Sequence, residues 1–162
     1  MRYFITVIVA SGLLMKANVI TGQTLSDGFK GAELLINKTC SSQAIDRTSR
    51  EHCVKRQKAA LKTLKKGSPP YLSKKEFEVI NYTCEKEWPE DFAGRLECQH
   101  DQIKALEALH GSNPTDLLEG RFENIREKCT WQWPYDFKKR LECENEEIEK
   151  LRLARPKEGN KN

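Results

Sequence analysis

Fifteen residues running Cys84-Glu-Lys-Glu-Trp-Pro-Glu-Asp-Phe-Ala-Gly-Arg-Leu-Glu-Cys98 return 45 positions later as Cys129-Thr-Trp-Gln-Trp-Pro-Tyr-Asp-Phe-Lys-Lys-Arg-Leu-Glu-Cys143. Trp-Pro-x-Asp-Phe-x-x-Arg-Leu-Glu-Cys is common to both, with every shared residue at the same offset. A fixed period of this length marks a repeat architecture, in which each copy is one supersecondary unit that cannot bury its apolar face alone. That constrains the fold more than any single residue does.

A degenerate first copy lies upstream. Aligning Cys53 with Cys98 and Cys143 places Asp46 under Asp91 and Asp136, and Arg50 under Arg95 and Arg140. Ile36, Ile80 and Ile125 each stand four residues before the first cysteine of their copy. The Trp-Pro and Phe positions are lost (Gln43, Ala44, Arg47), as expected of a terminal repeat with one unpartnered face.

Each copy reads as two helices joined by a short corner. Ser73-Lys-Lys-Glu76 is a capping box, and Phe77, Ile80 and Cys84 follow at helical spacing. Trp88-Pro89 ends that helix, because the residue before proline is pushed out of the α region while proline suits a first helical turn. Asp91 and Arg95, four apart, are expected to pair across that turn, and Asp136 with Arg140 likewise. In the third copy Pro114 and Pro134 are read as helix openers, with Leu118, Phe122 and Ile125 facing inward. Ser26 is a candidate cap in the first copy. No strand-like alternation of useful length follows the N-terminal segment, so the fold class is all-α: three tandem disulfide-stapled helical hairpins, about six helices, in a solenoid-like or compact array. The expected boundaries are 25–67, 73–111 and 114–155, with 156–162 a disordered tail.

The N-terminus bears on the compartment. Arg2 precedes an apolar run from Tyr3 to Met15, too short for a membrane span of about 20 residues. This is the layout of a secretory signal peptide over 1–22. Six cysteines in an exported chain then read as disulfides. Pairing within each copy, as Cys40–Cys53, Cys84–Cys98 and Cys129–Cys143, staples each hairpin near its corner. Closing a loop of roughly 15 residues contributes about 3 kcal/mol in the chain-entropy model. Zinc ligation would call for short C-x-x-C spacings that are missing, so no metal is expected.

The recurring Trp88, Pro89, Asp91 and Arg95, with Pro134, Asp136 and Arg140, are read as a structural corner. His52, His100 and His110 share no repeat position and form no ligand pattern. No nucleophile elbow, phosphate loop or dinucleotide fingerprint is present. No catalytic residue, cofactor or nucleic-acid partner is therefore expected. Candidate contact residues lie where the copies differ. Trp131 is unique to the third copy, and Trp133 sits beside it. Lys55, Lys58, Lys62 and Lys65 form a basic stripe on one helical face, inside a stretch from Val54 to Lys66 with six basic residues and no acid. From Glu142 to Glu149 there are five acidic residues and no base, which suggests self-association of basic first copies with acidic third copies. Asn37-Lys-Thr39 and Asn81-Tyr-Thr83 are glycosylation sequons at matching positions.

At Trp88-Pro-Glu-Asp-Phe-x-x-Arg-x-x-Cys98 and its second occurrence the chain resembles small exported bacterial repeat proteins that carry a Cys, then Trp-Pro-x-Asp-Phe, then a second Cys. The resemblance covers 77–151 well and 33–64 poorly. It implies a periplasmic or secreted location and no mechanism. The function expected is a non-enzymatic exported repeat protein presenting a helical surface to a protein or envelope partner, with peripheral membrane contact left open. The alternative is a secreted or periplasmic inhibitor or effector docking on an enzyme such as a lysozyme.

Overall fold

The computed structural model describes residues 31–154, so the signal segment, the Ser26 cap and the C-terminal tail lie outside the described residues. Six helices follow one another: α1 (Ala32–Gln43), α2 (Arg47–Leu64), α3 (Lys74–Glu87), α4 (Phe92–Gly111), α5 (Glu119–Gln132) and α6 (Phe137–Leu153). There is no strand among the described residues. The chain is all-α.

The helices pair as three hairpins, α1 with α2, α3 with α4 and α5 with α6. The second helix of each hairpin also packs on the second helix of the next, so α4 is held between α2 and α6. Three disulfides, Cys40–Cys53, Cys84–Cys98 and Cys129–Cys143, join the two helices of each hairpin with Cα separations of 5.6, 5.6 and 5.8 Å. Each first cysteine is fully buried, so the staple is also part of the hairpin's core.

Local chemistry sets the element ends. Ser73 and Glu76 form the capping box that their spacing predicts, starting α3 at Lys74. Gly67 takes φ 78°, a left-handed value that glycine reaches without strain, and turns the chain after α2. The prolines act differently from the expectation. Pro89 and Pro134 stay outside the helices, and Asp91 and Asp136 are the N-caps of α4 and α6, accepting from the Gly94 and Lys139 amides. Two residues on from proline, an aspartate that accepts from an orphan amide of the first turn determines the start more strongly than proline's fixed φ. Likewise α5 begins at Glu119 rather than Pro114, whose carbonyl instead accepts from the Leu117 amide in a turn. Leu118 is its N-cap and is 71% exposed, not inward-facing.

The second hairpin holds an apolar cluster of Ile80, Cys84, Ile103, Leu106 and Leu109, with Phe137 from the third hairpin inserted among them. Phe122, Ile125, Cys129 and Ile148 form a smaller cluster within the third. The third hairpin thus helps to complete the core of the second, as a repeat array requires.

Candidate functional site

The recurring residues come first, because their positions decide what remains for function. Asp91 and Arg95 do not pair. Arg95, 6% exposed, turns back over the corner and donates to the Trp88 and Pro89 carbonyls at 3.3 and 2.9 Å and to Glu85 at 3.2 Å. Two corner carbonyls and a carboxylate satisfy more of its five donors than one cap carboxylate could. Asp91 instead caps α4 and accepts from Gln57 of the preceding hairpin at 2.7 Å. Burial pushes the Asp91 carboxyl up, but the Gly94 amide and the Gln57 side chain more than offset it, leaving it below its ordinary value. Arg140 does not pair with Asp136 either. Its Nε is buried without a hydrogen bond, close to the equally buried Glu144. Burial raises the Glu144 carboxyl against the opposing pull of Arg126 and Arg140.

Gln57 is fully buried and bridges two hairpins: its amide nitrogen donates to Asp91 while its oxygen accepts from the Ala93 amide at 3.2 Å. Gln102, four residues after its own cysteine as Gln57 is, repeats the arrangement. It donates to Asp136 at 2.8 Å and accepts from the Phe137 and Lys138 amides at 2.7 and 3.2 Å. Thr39 and Thr83 add a second recurring bond, donating to the Glu90 and Tyr135 carbonyls. These joints were not anticipated from the sequence. The signal was there, in two glutamines and two threonines at matching offsets. The threonines complete the sequons, and their shared position follows from the joint. Asn81, half-buried, accepts from Gln99 at 2.5 Å.

Trp88 lies on Gly94, where a Cβ would fall 2.6 Å from the indole. Trp133 is half-buried with the Lys139 ammonium 4.7 Å from its ring centroid. Both tryptophans close their corners. Trp131 does not: it is 85% exposed. Tyr82 and Tyr135, also exposed, meet edge to face across the second joint at 6.3 Å between centroids.

Lys55, Lys58 and Lys62 lie exposed on α2, and Lys65, its C-cap, is exposed as well. Lys58 reaches Glu33 at 3.1 Å, a partly solvated pair. An open groove of about 610 Å³ runs between α1 and α2, lined by Asn37, Val54, Glu51 and four cations, Arg47, Arg50, Lys55 and Lys58. The first hairpin (31–67) carries nine basic and three acidic residues, a net +6. The whole chain, which includes it, carries only +4. The third hairpin (114–154) has eight basic and ten acidic residues, a net −2. Positive charge is therefore concentrated at one end of the array.

His52, His100 and His110 are exposed, and no group of three metal-ligating side chains occurs among the described residues. No described helix is long and apolar enough to cross a membrane. Three intramolecular disulfides fit an oxidising environment, extracellular or periplasmic. No protein-family model, curated protein or solved structure matches the chain.

Proposed function

We propose that the chain is an exported, non-enzymatic binding module whose first hairpin engages an acidic partner, a protein or an envelope component. In this reading the second and third hairpins are the rigid support, since their recurring side chains are engaged in caps, corners and joints. The observation that carries it is the +6 charge of the first hairpin, displayed on α2 and along the α1–α2 groove. Clustered charge of one sign steers an opposite partner and speeds its association. The lysine side chains stand apart from the joints, so charge reversal there can be read without loss of fold. Immobilised sulfated or phosphorylated polymer should retain the wild-type protein at low salt and release it as salt rises. Reversal at three positions (K55E/K58E/K62E) should abolish retention. Equal retention of that variant would remove this reading.

A second reading rests on Trp131. A bare indole at 85% exposure is the kind of side chain that anchors a protein interface. In that case the third corner docks on one enzyme, as an inhibitor would. Trp131→Ala would then lose the partner while the charge-reversed protein kept it.

A further inference from the structure

Laid in register, the joints show that the outward faces of the terminal hairpins are altered at the positions that join neighbours. A joint uses a giving face and a receiving face. The giving face holds the threonine before the first cysteine and the glutamine four residues after the second, Thr39 with Gln57 and Thr83 with Gln102. In the third copy those positions are Lys128 and Glu147. They pair with each other at 2.7 Å, and Lys150 holds Glu147 from the other side at 2.7 Å. These two bonds keep the Glu147 carboxyl down at about 2, so it is ionised throughout the neutral range.

The exchange of Gln for Glu is decisive in a joint. The glutamine amide donates to the next cap aspartate and accepts from the amides behind it. A carboxylate can only accept, and it would stand against the aspartate with like charge. The receiving face of the first copy is altered too. Phe92 and Phe137, both buried, follow the cap aspartate in the later copies, whereas Arg47 follows Asp46. Arg47 is exposed and pairs with Glu51 at 2.9 Å.

We propose that these substitutions are stop signals: Lys128 and Glu147 close one end of the stack, Arg47 closes the other, and the chain is held at three hairpins without joining head to tail. This goes beyond the binding role above and does not depend on it. It also runs against joining a basic first copy to an acidic third copy through the repeat joint, because Asp46 and Glu147 would face each other there.

Two variants, each opening one end, test the idea. R47F restores the apolar residue of the receiving face, and K128T/E147Q restores the neutral giving face. By sedimentation velocity at high micromolar concentration, the wild type and each variant alone should run as monomers. An equimolar mixture of the two variants should run at twice the monomer mass. Far-UV circular dichroism and a free-thiol assay establish that both variants are folded with disulfides intact. A mixture of folded variants that stays monomeric would overturn the proposal, as would a wild-type protein that already self-associates through this joint.

Discussion

Gln102 shows how much one side chain contributes when it is buried between two units. It is 3% exposed and makes three hydrogen bonds, to Asp136 and to the Phe137 and Lys138 amides. Truncation would take one bond from the Asp136 cap carboxylate, which keeps the Lys139 amide, and leave the Phe137 and Lys138 amides without their side-chain acceptor. Each buried polar group left unmatched costs about 1–3 kcal/mol. Gln102→Ala should therefore lower stability by about 2–3 kcal/mol in urea denaturation, while Gln132→Ala, an exposed control at the end of α5, should stay within about 0.5 kcal/mol of wild type. An equal effect of the two would remove the joint's energetic role. Little of this was legible in the chain. Glutamine has no strong local preference, and its partners lie 34 to 36 residues away. Asp91 and Arg95 misled for the opposite reason: a spacing of four implies a local pair, but a buried amide and two corner carbonyls competed better for them.

At the scale of the element, the hairpin was legible and its corner only partly so. Cysteine spacing and apolar period point to two stapled helices per copy, and the three disulfides pair within copies. The helix starts were displaced because capping by Asp91, Asp136 and the turn after Pro114 is determined by hydrogen bonds that proline alone does not reveal. The corner also explains a glycine inside α4. In an exposed helix, alanine is favoured over glycine by about 1 kcal/mol. At Gly94 the added methyl would meet the Trp88 indole at 2.6 Å. Overpacking of this kind costs about 1–3 kcal/mol. Gly94→Ala should thus destabilise the protein by about 1 kcal/mol and change tryptophan emission as Trp88 is displaced. A stabilised variant with unchanged emission would show that the ring does not brace the corner.

Across the whole molecule, charge sets the response to acid and marks the surface proposed above to meet a partner. Lys128 and Lys150 depress Glu147 from 4.5 to about 2. A carboxyl depressed on folding adds stability above its unfolded value and loses it as pH falls through the folded one. Asp91 is depressed as well and acts in the same direction. Glu144 acts in the opposite direction, because burial raises it and ionising it disfavours the fold as pH rises. Melting temperature should therefore fall between about pH 4.5 and pH 2, and Glu147→Gln should flatten that fall. An identical acid profile in the variant would contradict the Glu147 assignment.

The repeat period made the array legible, and the uneven charge of its copies was visible in the same sequence. Which differences face outward was not, since Trp131 and Trp133 stand two residues apart and only one is bare. In the reading proposed here, recurring residues build the stack and the cations of the first hairpin, Lys55, Lys58 and Lys62 among them, meet the partner. Amide chemical-shift mapping during titration with a soluble sulfated polymer tests this most directly. Shifts should concentrate on α2 and the α1–α2 groove, around Arg47, Lys55, Lys58 and Lys62, and collapse as salt is raised. Shifts centred instead on Trp131 and Tyr135, or spread evenly over all three hairpins, would contradict it.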